Sequence, residues 1–464
     1  GAIPESTRGD YLKTIEWLHE WPCIRNYGLG TRLPFDDRFV IEPLSDSTIY
    51  MAYYTISHLA GAVDAEKLRP EFFDYVFNGQ GDVGDVADAT GLESDFITNA
   101  RESFTYWYPQ DYRCSALELV QNHLTFMLFH HSALFEEKYW PRGIASFGMG
   151  LLEGQKMSSS KGNVVLVKEA LREYGADVTR LFLMGNAEPW MDFDWRESQV
   201  ESTKKKLEQF KRIINDAGEH AVERRETDVD RWITSRLNRH ILEANEALEG
   251  FETRRALQSV FYGLLKDWNW YLRRTTPSKI VASGLFEKWV RLLAPFTPYT
   301  CERLWREMGG KGLVADSMYP LADEDLIDED VEAGENLLKS VMDDLNSILK
   351  VAKTDCRKIH LYIAPRWKHK VYEAILEGKT VKDVMADEEV RANGNQAARL
   401  MQSRVDEIPA RILSVSQQEE YLSQAKEFIG NEYDSEVLTH TDDSYDPAGK
   451  YAQALPMKPG IYIE

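Results

Sequence analysis

The spacing of apolar residues changes near residue 198, and no other feature of this 464-residue chain constrains its fold as strongly. Before that point short apolar runs, glycine-rich loops and helical stretches alternate, the pattern of an α/β domain. From Val200 to about Met318 the apolar positions recur at intervals of three and four, as in Ile233, Leu237, Ile241, Ala244, Leu248 and in Leu257, Phe261, Leu264, Trp268, Leu272. Such spacing predicts amphipathic helices with short connections, hence a helical bundle. Two prolines within Leu293–Thr300 interrupt the helices. The acidic run Asp323–Glu335 reads as a boundary, followed by a helix over Leu337–Val351 and an alternating strand, Ile359–Ile363, which opens a small α/β domain. The chain is therefore expected to divide into an α/β part (1–198), a bundle (199–330) and a C-terminal α/β part (331–464). At roughly 150 residues per domain, the length accommodates three cores.

Within the first part, Tyr11–His19 is helix-like and Ser47–Leu59 is apolar and tyrosine-rich at helical spacing. Gly61–Ser94 is acidic and reads as a surface insertion without chemistry. Leu117–Phe135 predicts a long apolar helix and Ile144–Phe147 a short strand. A loop with Gly148, Gly150, Gly154 and Gly162 precedes a helix over Leu166–Tyr174. Aromatic residues at 11% exclude a disordered chain. No run approaches the ~18 apolar residues of a membrane span. Cys23, Cys114, Cys301 and Cys356 lie far apart, with no CxxC and no histidine at ligand spacing. They predict neither a zinc site nor a disulfide framework, and they suit a reducing cytosol. The start, Gly1-Ala2-Ile3-Pro4-Glu5, has no initiator Met and no secretory pattern, so a processed chain or a start inside a longer protein is expected.

The strongest chemical signal is Lys156-Met157-Ser158-Ser159-Ser160-Lys161-Gly162-Asn163. Lysine ammoniums offset charge building up on departing phosphate oxygens, while hydroxyls and backbone N–H groups donate hydrogen bonds to them. Flanking glycines let such a loop close over a nucleotide and reopen. Read without its context, the same stretch is equally a solvated polar loop before a helix, with Asn163 near the cap.

The context is Tyr174-Gly175-Ala176-Asp177-Val178-Thr179-Arg180. Here the sequence resembles the class I aminoacyl-tRNA synthetases, whose KMSKS loop is followed by a helix and a GAD-x-x-R segment. Glu20-Trp21-Pro22-Cys23-Ile24-Arg25-Asn26-Tyr27-Gly28-Leu29-Gly30 resembles the segment that re-enters the catalytic domain after the editing insertion. Ser45-Asp46-Ser47-Thr48-Ile49-Tyr50-Met51-Ala52-Tyr53-Tyr54 is similar to the substrate-pocket segment of the archaeal and eukaryotic leucyl enzymes. Tyr108-Pro109, Asp111, Asn122-His123-Leu124, Trp140-Pro141-Arg142-Gly143 and Leu293-Ala294-Pro295-Phe296-Thr297-Pro298 fit the same family. The resemblance covers essentially the whole chain. It implies an α/β fold, the second half of a Rossmann-like class I catalytic domain, followed by an α-helical bundle and a small C-terminal α/β domain.

Carried over by matching position, the resemblance implies that Lys156, Ser158, Ser160 and Lys161 hold the ATP phosphates, with Met157 and Ser159 in the same nucleotide loop. Ser159 stands where the family has its second lysine, and Lys161 is then the nearest replacement charge. Glu118 matches the carboxylate that accepts bonds from the ATP ribose, but Ala116 replaces a glycine that permits close backbone approach. His123 is implied to line the adenylate pocket. On one regular helix Glu118 and His123 stand about 140° apart, unless the turn before it reorients Glu118. From residue type alone, an isolated histidine on an apolar helix is instead a satisfied core residue. Asp46, Ser47 and Tyr50 are implied to shape the leucine pocket, while Asp and Ser before a helix also serve as N-caps. His130-His131 read as ordinary helix residues.

Against a net charge of −21, Lys204-Lys205-Lys206, Lys211-Arg212 and Arg273-Arg274 read as backbone-phosphate contacts for tRNA, or as a solvated helix face. The resemblance adds the C-terminal Ile463 and Glu464 as tRNA-contacting residues and implies a bundle that supports tRNA without reading its anticodon. Ten histidines include no HxGH-type pair, so the family's first signature and its editing domain are expected to lie outside this sequence. The implied activity is ATP-dependent activation of leucine and its transfer to tRNA(Leu), needing a separate N-terminal half. The implied ligands are leucine, tRNA(Leu) and ATP with Mg2+, without structural zinc or a membrane. A cytoplasmic location and a salt-adapted archaeal source account for the acidity. A non-catalytic tRNA-binding or partner-binding module is the other reading left open, favoured by the absence of the first signature from this sequence and supported by Ser159 and Ala116.

Overall fold

Strand β5 (Tyr112–Ala116) runs parallel to β6 (Gly143–Phe147), pairing Tyr112 with Gly143 through to Ala116 with Phe147. Strand β1 (Ala2–Ile3) joins the other side of β6, also parallel, giving the order β1-β6-β5. Ile144, Ala145 and Ser146 are buried without alternation, as expected of a strand covered on both faces. A parallel pair needs a long crossover, and the helix Thr125–Leu134 lies within it. The structure, a computed structural model, describes residues 1–352, 356–402 and 408–464; the side chains of residues 46, 159, 217–220 and 352 lie outside that description.

Three regions of the first part differ from their sequence reading. The acidic segment 61–94 is built into the core rather than laid over it, since Phe72, Val76, Val86 and Leu92 pack with Ile97, Phe104 and Leu124. Its acidic side chains occupy the outer face of short helices whose apolar residues point inward, so its composition concealed an amphipathic pattern. The stretch 117–134 is not one regular helix: a 3-10 turn (Leu117–Leu119) is followed by a wide π turn (Val120–Leu124) and then an α-helix (Thr125–Leu134). Likewise Ser47–Leu59 breaks into short helices, Pro43–Ser47, Tyr50–Tyr54 and Ser57–Ala60.

Two small sheets complete this part. Strand β4 (Asp36–Ile41) lies antiparallel between β2 (Ile24–Arg25) and β3 (Arg32–Leu33). Strand β7 (Gly150–Leu152) lies between β8 (Gln155–Lys156), antiparallel, and β9 (Phe193–Trp195), parallel.

Internal contacts divide the chain into two compact units, Gly1–Lys204 with Ala247–Arg255, and Lys205–Glu246 with Ala256–Glu464. The second unit contains the helix Asp228–Glu249 up to Glu246, and the helices Leu264–Arg274, Lys279–Leu293 and Pro298–Glu307. Ile233, Leu237, Ile241, Ala244, Leu257, Phe261, Leu264 and Trp268 are buried as the spacing predicts. Leu272 is exposed, and the buried stripe continues through Tyr271 instead.

The helix expected from Leu337 begins earlier and spans Glu329–Ala352. The acidic run forms its first turns, and Glu332 and Glu335 there are buried in ion pairs with Arg239 and Arg274. Strand β10 (Lys358–Tyr362) is the centre of a last sheet, parallel to β11 (Glu436–His440) and antiparallel to β12 (Gly460–Ile463). Leu338, Val341 and Leu345 of the long helix pack on Ile359, Leu361 and Ile461 of this sheet. The α/β class followed by helices is the architecture the sequence predicts.

Candidate functional site

Because β5 and β6 are parallel and in register, Ala116 and Phe147 end side by side. Loops leaving the carboxyl ends of parallel strands are where α/β sheets bind ligands. Beyond Ala116 the 3-10 turn leaves Glu118 exposed. Beyond Phe147 the chain passes Gly148, where an added Cβ would lie 2.3 Å from the carbonyl carbon of Met191, so only glycine fits. It then forms the β7–β8 hairpin and the loop Lys156–Asn163.

That loop is closed on itself. The Asn163 side-chain amide donates to the Lys156 carbonyl at 2.9 Å, and the Ser158 and Ser160 hydroxyls lie 3.0 Å apart. The Lys161 N–H donates to the Ser158 carbonyl at 3.1 Å, and Gly162 turns the chain with a φ of +72°. Lys156 and Lys161 are exposed, Met157 and Ser158 half-buried. Neither lysine joins any ion pair among the described residues, so both ammoniums remain available to a ligand. The side chain of Ser159 lies outside the described ones.

A second cluster gathers residues from far apart in the chain. The Ser47 hydroxyl lies 3.3 Å from His123 Nδ1. Arg113, on β5, donates from Nη2 to the Tyr50 hydroxyl at 2.8 Å, its guanidinium 5.5 Å from the Tyr50 ring centre. His123 is buried, and its Nε2 has no hydrogen-bond partner. Burial, reinforced by the Arg113 charge, pushes the His123 pKa below its ordinary value and favours the neutral imidazole. The 3-10 and π turns separate exposed Glu118 from buried His123, so the angular offset of a regular helix does not apply.

Capping of the helix Pro43–Ser47 falls to Glu42, whose carboxylate accepts from the N–H groups of Leu44 and Ser45 and pairs with Arg25. Ser47 is therefore not the cap, and the side chain of Asp46 lies outside the described ones. Tyr50 also borders an apolar pocket formed by Ile49, Phe73, Phe77, Leu134 and Phe135. His130 and His131 are satisfied within the fold, by Thr48 and by the Tyr108 hydroxyl.

The expected site residues thus fall into two groups: Ser47 in contact with His123, with Tyr50 bonded to Arg113, whose charge acts on His123; and Lys156, Ser158, Ser160 and Lys161 on one loop, with Glu118 exposed just past β5. Arg113 was missed by the sequence reading. Nothing in its own neighbourhood marks it, because its partner Tyr50 lies 63 residues earlier and only the strand brings them together.

In the expected tRNA set, Lys205 is exposed and outside every ion pair among the described residues. Lys204 sits 3.7 Å from Glu201, and Lys206 lies over the Tyr262 ring at 5.5 Å. Arg273 is bound by Glu432 at 2.5 Å. Arg274 is turned inward, its side chain 8% exposed, held by buried Glu335 at 3.0 Å and stacked over Phe428. Ile463 pairs with Ile359 and packs on the last core. The Glu464 backbone bonds with Arg357 and Lys358, and its carboxylate accepts from the Tyr445 hydroxyl. Among the described residues no three His, Cys, Asp or Glu side chains are grouped to hold a metal, and no helix is long and apolar enough to cross a membrane.

Residues 91–215 match the family described as tRNA synthetases class I (M), and residues 230–361 match the anticodon-binding domain of tRNA ligase. Over its entire length the chain is 44% identical to the leucine–tRNA ligase of Pyrococcus furiosus and 41% identical to that of Methanothermobacter thermautotrophicus, covering 50% of each. It therefore spans about half the length of the curated relatives it matches. A leucyl-tRNA synthetase of Agrobacterium radiobacter, solved with tRNA and LeuAMS, superposes with a TM-score of 0.47 at 21% identity, over 64% of this chain and 36% of that one.

Proposed function

We propose, on the premise that this chain is homologous throughout to half of an archaeal leucine–tRNA ligase, that it contributes that half of the work in charging tRNA(Leu) with leucine. The observation that carries the proposal is a loop that presents two exposed lysines outside every ion pair among the described residues, together with a buried histidine whose Nε2 has no partner there, both following parallel strands at their carboxyl ends. In the activation step a leucine carboxylate oxygen attacks the α-phosphorus of ATP, and the bond to the bridging oxygen breaks to release pyrophosphate. Lys156 and Lys161 offset the charge growing on that leaving group, and the Ser158 and Ser160 hydroxyls donate to its oxygens. Met157 and Ser159 complete the loop. Glu118 accepts from the ribose hydroxyls, His123 borders the adenylate, and Asp46, Ser47 and Tyr50 surround the leucine. Mg2+ arrives with ATP as part of the substrate complex.

Lys204, Lys205, Lys206 and Arg273 serve tRNA phosphates, with Ile463 and Glu464 at the far end of the chain; Arg274 serves by bracing the surface beneath Arg273. The division at 1–198, 199–330 and 331–464 separates catalysis from tRNA support. A cytoplasmic, salt-adapted setting accounts for the charge of −21. A complementary half completes the phosphate site, because a transition state held by one half alone loses most of its stabilisation.

The test is leucine-dependent exchange of pyrophosphate into ATP in molar KCl, with the chain alone and with the complementary half of an archaeal relative. Exchange only on mixing is expected. Exchange by the chain alone refutes the need for a partner. Silence in both with tRNA binding retained would favour the non-catalytic module, the reading that Ser159 and Ala116 support.

A further inference from the structure

Among the described residues Arg113 has no counter-ion, although it is half-buried. It occupies the second position of β5, half-buried, and Ile144 is its partner across the ladder. Among the described residues its only hydrogen bond is the one from Nη2 to the neutral Tyr50 hydroxyl, at 2.8 Å. No ion pair among the described residues includes it. Its Nε is buried and unpartnered, as is Nε2 of His123, a residue only 8% exposed. A buried polar group without a partner costs free energy, and a guanidinium without an anion costs more. Folded proteins keep such open valences where a ligand supplies the missing partner.

The neighbours define what that partner is. The Tyr50 ring lies against the guanidinium and its hydroxyl is occupied, so Arg113 fixes Tyr50 in place. His123, neutral, adds a hydrogen-bonding nitrogen without a second positive charge. One cation, one neutral imidazole nitrogen and a phenol match a singly charged anion carried by an organic group. We infer that Arg113 is the counter-charge for an anionic group of the bound ligand, held beside Tyr50 and His123. This deepens the proposed function and rests on it for the ligand, which offers two such groups: the carboxylate of the amino acid and the phosphate of the nucleotide. Guanidinium N–H groups pair with either by charge-assisted bonds.

The experiment uses the full 464-residue chain with nitrogen-15-labelled arginine and histidine, following the Arg113 Nε–H and His123 ring signals by NMR. The probes are leucine, leucinol (which lacks the carboxylate), AMP and inorganic phosphate. Wild-type signals are expected to move with leucine but not leucinol if the carboxylate is the anion, and with AMP if it is the phosphate. Arg113→Met is expected to weaken that binding about 30-fold or more, the usual result of removing one member of a buried charged pair. Arg113→Lys, which keeps the charge, is expected to recover part of it, and equal melting temperatures show that the fold is intact. Equal binding of every probe by Arg113→Met and wild type overturns the inference, as does a wild-type spectrum that no anion moves. Failure of Arg113→Lys to recover any of the lost binding overturns charge as the cause. If phosphate moves the signals while leucine and AMP do not, the anion site stands and the synthetase reading falls.

Discussion

Two buried polar clusters, one in each unit, are built from similar residues and finish differently. In the helical unit, His240 is bonded by Ser259 at Nδ1 (2.8 Å) and by Asp267 at Nε2 (3.0 Å), while Arg236 donates to Asp267 at 2.8 Å. In the first unit, His123 meets Ser47 through one ring nitrogen only, and Arg113 meets a neutral phenol. Burial disfavours the charged form of both histidines, but hydrogen bonds that His240 donates to the Asp267 and Glu243 carboxylates outweigh it and raise the His240 pKa. Burial, with the Arg113 charge added to it, lowers that of His123. Among the described residues, buried side-chain nitrogen and oxygen atoms without partners number seven in the first unit and two in the second, on His360 and His369, with none in the network around His240. A network that only holds a fold together pairs all its members, whereas one that awaits a ligand leaves valences open.

The largest effect should come from breaking the complete network. Asp267→Ala strands a buried arginine and histidine, and should cost about 3–5 kcal/mol. In a unit of this size that lowers the melting temperature by about 10 °C, measurable by calorimetry. Lys156→Ala tests the opposite kind of residue: fully solvated, it should change stability by less than about 0.5 kcal/mol. It should nonetheless cut leucine-dependent pyrophosphate exchange about 100-fold or more in the completed enzyme. An unchanged exchange rate would remove the loop from the chemistry.

The pH dependence of stability sharpens the same contrast. Although burial pushes the Asp267 carboxyl up, His240 and Arg236 outweigh it and hold it at about 2, and the His240 bond holds Glu243 at about 2. Depressed carboxylates stabilise above their unfolded values, so this contribution is lost as pH falls from about 4 towards 2. The raised His240 contributes below its unfolded value, near 6.5, and that share fades as pH rises through the folded one. Urea midpoints across pH should show both flanks, and Asp267→Asn should flatten them. His123→Gln, where among the described residues no bond to Nε2 exists to lose, should cost far less than Asp267→Ala: below about 1 kcal/mol in urea unfolding. A larger loss would place His123 among the structural histidines and erase the difference from His240.

The lysine–serine loop was legible in the sequence because its chemistry is local: every group sits within eight consecutive residues, and the glycines that shape it are neighbours. The bundle was legible because helical spacing repeats over long stretches. The segment 61–94 was misread because net acidity hid inward-facing Phe72 and Val76, and the start of the long helix was missed because Glu332 and Glu335 looked like surface residues. Their partners, Arg239 and Arg274, are separated from them by 93 and 61 residues.

The sequence by itself determined the order of α/β and helical parts, the position of the lysine–serine loop and the similarity to leucine–tRNA ligases, since periodicity and motifs act over short separations. The tertiary structure decided which charges are spent and which are free. Lys204 to Lys206 and Arg273-Arg274 look alike as basic runs, yet Lys205 faces solvent while Arg274 closes on Glu335. Arg113 became part of the site only through the strand that sets it against Tyr50. The energy of an ionised group depends on what surrounds it within a few ångströms, and long-range folding alone supplies those surroundings.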